Sequence, residues 1–246
     1  MKKLIYYVLN KTFHTLDKKI LDLLPKKGNL VIFDVGCYRG VFFINLLNKL
    51  KKKSQKTIFF LFDINKNVKN YLKKYISKKN IHYIEAAASH KNGYANYHYN
   101  RFFEASGSSL SNIYSGDNKW IFSRKFFLKL FFQKTKDFVD YKVKTITLDK
   151  IIEDNKLKKV DVIKIDVDGS ELDVLRGLKK SFKKKKIMMV LLEINERPKK
   201  NYNKKVNLIT KFFTKYNFEL REYYRMIAPE FFSDIKSGDY LFIQKK

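Results

Sequence analysis

Acidic residues recur at the ends of apolar runs in this chain, and in an α/β protein those positions carry chemistry. The densest set lies in Val160-Asp161-Val162-Ile163-Lys164-Ile165-Asp166-Val167-Asp168-Gly169, a β-branched run that a helical segment, 170–178, follows at once. Alternation along a strand puts Ile163, Ile165 and Val167 on one face and Lys164, Asp166 and Asp168 on the other. A strand covered on both faces is apolar throughout, and a buried Lys or Asp is costly unless paired or used. Ligands of open α/β sheets bind beyond the carboxyl ends of the strands, where Asp166 and Asp168 fall. A buried ion pair followed by acids at a helix N-terminus explains the same residues, and the segment alone admits both readings.

A second motif, Asp34-x-Gly36-x-x-x-Gly40, sits at the end of the apolar run 30–35. Gly36 permits a tight turn, and Gly40 permits close approach of a ligand to backbone. Dinucleotide sites place G-x-G-x-x-G here; Asp34 in the first position would instead repel a diphosphate. An acid suits a ligand that presents an ammonium or hydroxyls, and S-adenosylmethionine offers both with no phosphate. Asp63 ends the next strand, where it can accept both ribose hydroxyls or cap the following helix. Glu85 and Ala86 end the third, beside the place of an adenine in such an arrangement, although Glu85 also reads as an ordinary strand-end acid. Together the three strand ends favour an adenosyl ligand.

These residues need a scaffold, and the hydrophobic pattern supplies one. Strands are expected at 30–35, 57–62 and 81–85, with helices from 41 and over 66–76, which is a βαβαβ unit. Residues 94–99 alternate like an added edge strand, and a strand at 143–148 precedes a short helix. The Lys164 strand comes next, then a strand over 187–192 that ends at Glu193, a helix over 204–216, and strands at 218–224 and 239–243. With three prolines, nine glycines and no repeat, no linker is evident, so one domain is expected over 1–246. Residues 1–29 form a helical extension and 111–141 an aromatic, basic insertion.

A net charge of +29 invites a nucleic-acid or membrane partner. However, only seven of the 53 basic residues are Arg, the residue that reads phosphate and base edges bidentately. Lys, Asn, Ile, Phe and Tyr share A/T-rich codons, so the charge reads mainly as solvated surface and partly as weak attraction to anions, and a nucleic-acid partner is not expected. A single cysteine, Cys37, excludes an internal disulfide and suits a reducing compartment, so the cytoplasm is expected. The N-terminus starts like a signal peptide, but polar residues interrupt it and no small-residue cleavage site follows, so it reads as mature protein.

The chain resembles the FkbM-type S-adenosylmethionine-dependent methyltransferases. The resemblance rests on Phe33-Asp34-Val35-Gly36 through Gly40, Ser108-Ser109-Leu110, Thr145-Ile146-Thr147-Leu148-Asp149, the stretch from Asp161 to Gly177, and Leu192-Glu193-Ile194. Two positions depart from the family pattern: Asp63 and Asp168 stand where Glu is usual, keeping the charge and shortening the reach. The resemblance implies a class I methyltransferase fold, a Rossmann-like three-layer sandwich whose seven-stranded, mostly parallel sheet has a reversed last strand. It also implies S-adenosylmethionine as cofactor and O-methylation of a small-molecule or glycan hydroxyl, commonly on a sugar.

A sulfonium donor is already electrophilic, so the protein must mainly align acceptor, methyl and sulfur and accept the hydroxyl proton. Asp166 is the first candidate for that role and Glu193 the second, with Lys164 tuning or neutralising Asp166. Glu171, in the first helical turn, reads as a dipole partner, and Gly177, within a helix, as a close-packing position. No His joins a carboxylate cluster, so no metal site is read. The aromatic segment 120–132 reads as a packed accessory helix or as a cap over the acceptor site that touches a membrane surface. Two competing readings are an RNA ribose methyltransferase, which the charge motivates, and a non-catalytic binding protein that keeps the fold.

Overall fold

The computed structural model describes residues 19–52, 56–65, 67–100, 138–196, 199–225 and 236–245. Its centre is a seven-stranded sheet in the order β3-β2-β1-β7-β8-β10-β9. The strands are β1 (Leu30–Val35), β2 (Thr57–Phe62), β3 (Ile81–Ile84), β7 (Val160–Ile165), β8 (Ile187–Glu196), β9 (Phe218–Arg225) and β10 (Lys236–Gln244). β1 and β7 are buried along their whole length because helices cover both faces. The contacts from β3 across to β8 are parallel, whereas β10 runs antiparallel to both of its neighbours. This is the three-layer sheet with a reversed last strand that the resemblance implies.

Alternation splits the core into two layers. On one face Ile32, Phe59, Val162 and Leu191 pack against α1 (Val41–Lys52), α2 (Val68–Ile76) and the helical residues 19–23, through Ile20, Phe43, Leu46 and Leu72. On the other, Phe33, Ile163, Ile165 and Leu192 pack against α3 (Leu148–Asp154), α4 (Glu171–Arg176), α5 (Lys179–Lys183) and α6 (Tyr202–Lys215). Phe213 of α6 stacks on Phe242 of β10 at 3.9 Å. Each such buried side chain contributes roughly 1.5–3 kcal/mol, so apolar residues fix the layers and the polar ones are left to the strand ends.

Three expectations change. Residues 94–99 extend to β5 (Gly93–Asn100) but do not join the main sheet; they pair with β6 (Phe138–Ile146), whose other edge pairs with β4 (Ala87–Ala88), in a separate three-stranded sheet. The strand expected at 143–148 starts at Phe138 and stops at Ile146, because Thr147 caps α3 through its Oγ1, which accepts from the Lys150 amide. Of the insertion 111–141 only 138–141 are described, and they open β6. Segment 120–132 and the Ser108-Ser109-Leu110 motif lie outside the described residues, as do residues 1–18 of the N-terminal extension. Among the described residues no helix is long and apolar enough to cross a membrane.

Buried polar contacts pin the helices below the site. The Asp149 carboxylate accepts the amides of Lys180 and Ser181 and the Ser181 hydroxyl, locking the start of α3 onto α5. Glu171, expected to serve only the helix dipole, is fully buried. It accepts from the Gly169 amide and lies 2.6 Å from Lys205 Nζ of α6, which also lies 3.2 Å from Glu196 and donates to the Asn195 carbonyl at 2.6 Å. This buried cluster ties the turn after β7 to the end of β8. Gly177 is a close-packing residue as expected: a Cβ there would meet the Ser89 carbonyl oxygen at 2.1 Å.

Two outcomes follow for stability. Gly177→Ala forces backbone apart and is expected to destabilise by about 1–3 kcal/mol in denaturant unfolding, with an unchanged fold by circular dichroism. Burial raises the Glu171 carboxyl from 4.5 to about 7 against the pull of Lys205. A raised acid contributes stability that is complete below its unfolded value and is lost as pH rises through its folded one. The wild type is therefore expected to lose this contribution between about pH 4.5 and 7, and Glu171→Gln to flatten the unfolding free energy over that interval.

Candidate active site

The first wall is built by the turns after β1, β2 and β3. Gly36 has φ +79°, and its amide and that of Cys37 both donate to the Phe62 carbonyl, at 2.9 and 3.1 Å. A Cβ on Gly36 would lie 1.9 Å from the Asp166 carbonyl oxygen, and the Asp166 amide donates to the Val35 carbonyl at 2.9 Å. The turn after β1 and the turn after β7 are thus in backbone contact. Gly40, at φ +72°, makes its close approach to a side chain of the protein: a Cβ would meet Leu72 Cδ2 at 2.7 Å.

Asp63 laces the next two turns. One carboxylate oxygen accepts the Tyr38 amide at 2.7 Å and the other the Asn65 amide at 2.9 Å, and the Ile64 amide adds a third backbone interaction. Tyr38 holds φ +41°, an uncommon conformation for a residue with a Cβ, at the centre of this turn. The Tyr83 hydroxyl donates to the Asp63 carbonyl at 3.2 Å. Beyond β3, Glu85 is exposed and Ala86 is buried, its amide donating to Ile84. The Cys37 thiol is pushed up by burial and is no activated nucleophile.

The second wall centres on Lys164, which alternation places on the same face as Asp34. Its Nζ lies 2.8 Å from Asp166 Oδ2, 3.9 Å from Asp34 Oδ1 and 5.9 Å from the centre of the Phe42 ring. Burial opposes the ammonium charge, but Asp166 and Asp34 together hold its pKa above the ordinary lysine value. Asp34 is fully buried, and neither of its oxygens has a partner at good hydrogen-bond geometry. Burial raises it to about 6; Lys164 lowers it, while Asp166 and Asp63 push it up further.

Glu193 and Asp239 complete this wall from β8 and β10, where they face each other across the antiparallel ladder. Part of Glu193 is accessible, but its carboxyl is enclosed. Burial, then Asp166 and Asp239, drive it well above the ordinary glutamate value. Burial and Asp166 raise Asp239 to about 7. The Asn195 side-chain amide donates to Glu193 at 3.2 Å and to Asp168 at 3.1 Å, bridging the end of β8 to the turn after β7.

The structure therefore brings Asp34, Lys164, Asp166 and Glu193 into one cluster and leaves Asp63, Glu85 and Ala86 on the neighbouring strand ends. Asp239, Asn195 and Lys205 escaped the sequence reading. Asp239 had a readable signal, an acid at the start of the apolar run that ends the chain. Asn195 and Lys205 had none, since their partners depend on register and helix placement.

The chain matches the family described as Methyltransferase FkbM domain over residues 34–220. No curated protein matches it. Among solved structures, magnesium protoporphyrin IX methyltransferase (ChlM) from Synechocystis PCC 6803 with bound SAM aligns at TM-score 0.50 and 11% identity, covering 98% of this chain and 82% of that one. Methyltransferase FkbM from Methylobacillus flagellatus KT aligns at TM-score 0.47 and 15% identity, over 89% of this chain and 45% of that one. M. capricolum TrmK in complex with S-adenosylhomocysteine aligns at TM-score 0.45 and 15% identity, over 94% and 68%. At such identities the structural likeness speaks to the fold alone, but the family match covers most of the chain, including every strand end of the site except that of Asp239. The chain belongs to the FkbM methyltransferase domain family and is an S-adenosylmethionine-dependent methyltransferase.

Proposed function

We propose that the protein methylates a hydroxyl of a carbohydrate or related glycan acceptor in the cytoplasm, with Asp166 as the residue that receives the hydroxyl proton. The observation that carries this reading is the Lys164–Asp166 pair, 2.8 Å long, just past the end of β7. A carboxylate held there by a buried ammonium has its direction fixed and one oxygen left for a ligand. Asp34, Gly36 and Asp63 suit the donor: a buried acid for its ammonium, a turn with close backbone, and a strand-end carboxylate for ribose hydroxyls. Glu85 and Ala86 border the adenine side in this reading.

When bound, S-adenosylmethionine supplies a methyl group on a sulfonium that already carries the needed electrophilicity. The chain's own residues must bring an acceptor oxygen into line and take its proton. Asp166 takes the proton, Lys164 keeps Asp166 in place, and Glu193 orients the acceptor by a hydrogen bond. A wall so rich in carboxylates repels phosphate, which sets it against RNA as acceptor.

The test is label transfer from methyl-labelled S-adenosylmethionine to neutral oligosaccharides and, in parallel, to total RNA. Label in the oligosaccharide fraction is expected; label in RNA alone would overturn the acceptor assignment. With an acceptor in hand, Asp166→Asn is expected to lower kcat by about a hundredfold or more. It should leave S-adenosylhomocysteine affinity within about threefold, because the neutral product does not register the lost charge.

A further inference from the structure

Asp239 is a charge that the sheet does not need. It is 5% exposed on β10, next but one to Leu241, which belongs to the apolar layer of the same face. Among the described residues it makes no hydrogen bond or ion pair of its own, and only the field of Lys164 opposes its desolvation. Asp34, on the other side of Lys164, is likewise buried and without a well-placed partner. Asp166 lies 2.8 Å and Asp34 3.9 Å from the Lys164 ammonium, and Glu193 of β8 and Asp239 of β10, opposite each other in the ladder, lie within reach of its charge and of Asp166. Asp63 and Asp168 add negative charge at the rim, and the Asn195 side-chain amide donates to both Asp168 and Glu193. No group of acids among the described residues has the geometry to hold a metal ion. A buried carboxyl with no partner is either protonated or answered by a ligand.

We propose that Asp34, Asp166, Glu193 and Asp239 form a carboxylate ring that selects the positively charged methyl donor over its neutral product, with Asp239 as a selectivity residue supplied by the reversed strand. The inference rests on S-adenosylmethionine as the donor. In the transfer the sulfur–methyl bond breaks, the methyl carbon bonds to the acceptor oxygen, and the hydroxyl proton passes to Asp166. Sulfur keeps the bonding electron pair, so a sulfonium becomes an uncharged thioether. Donor and product both present an ammonium to Asp34, but only the donor adds a sulfonium for the other three carboxyl groups, so the ring holds the donor more strongly than the spent donor.

Binding is also linked to protons. Burial and crowding raise Asp34 to about 6 and Asp239 to about 7, so near neutrality the empty ring carries protons part of the time. A bound cation favours the ionised form and expels them. Both ligands gain from the ionised Asp34 through the ammonium they share, and the donor gains more as pH rises because its sulfonium also favours ionised Asp239.

Calorimetric titration of the full chain with S-adenosylmethionine and S-adenosylhomocysteine, from pH 5.5 to 8 in buffers of different ionisation enthalpy, tests this. The donor is expected to bind about tenfold or more tightly than the product at pH 8, with the ratio falling toward unity near pH 5.5. At pH 7 the donor is expected to release about half a proton more than the product. Asp239→Asn is expected to cut the ratio at pH 8 about threefold to tenfold with product affinity unchanged. If Asp239→Asn does not fold, the wild-type pH series decides alone. Equal affinities with equal proton release would overturn the ring and leave the donor intact, since both ligands would have bound; binding of neither would overturn both.

Discussion

Lys164 is an ammonium inside a parallel sheet, and the arrangement of the strand ends follows from keeping it charged. Removing a lone ammonium from water costs several kcal/mol, and the layer around it is otherwise phenylalanine, valine and leucine. Asp166 and Asp34 answer that cost from two adjacent strands. Their positions require β1 and β7 to be neighbours in the observed register, with Asp34 paired to Lys164. A slip of one residue would turn Lys164 into the opposite apolar layer. The ion pair therefore specifies the pairing that places the rest of the site.

Around that pair the site is rigid for reasons that lie outside it. The turn after β7 is held from below by Glu171 and Lys205, from the side by Asn195, and from the front by the backbone contact with Gly36. Helix α6 thus supports the turn after β7 through Lys205, which holds Glu171 and the Asn195 carbonyl. The donor wall is fixed in the same manner by Asp63, whose two oxygens join the turns after β1 and β2. Preorganisation of this kind lets alignment, which is most of what a sulfonium reaction asks of its enzyme, be set before the ligands arrive.

Much of this was legible in the sequence because it depends on period and strand ends. The alternation of 160–167 placed Lys164 and Asp166 on one face, and Asp34 and Asp63 were marked by the runs they terminate. Register and tertiary placement were not legible. Nothing local to Asp239 says that it faces Glu193 across 46 residues of chain, nor that Glu171 meets Lys205 of a later helix. The alternating run 94–99 was recognised as a strand, but which sheet it joins depends on its pairing with β6. The Thr147 cap overrode the apolar run that made 143–148 look like continuous strand.

The order of β9 and β10 has a consequence for how the chain comes together. β9 is made first but lies at the outer edge, and β10, made later, enters between it and β8. During synthesis β9 emerges without the strand that will hold it, carrying Leu220 and Tyr223 on a surface that stays partly exposed even in the finished sheet. Until β10 inserts, β8 is an open sheet edge that invites pairing with another chain. The lysines that punctuate this region, with the high overall charge, give nascent molecules a reason to repel one another during that interval. A charge that says little about substrate thus keeps half-built copies apart.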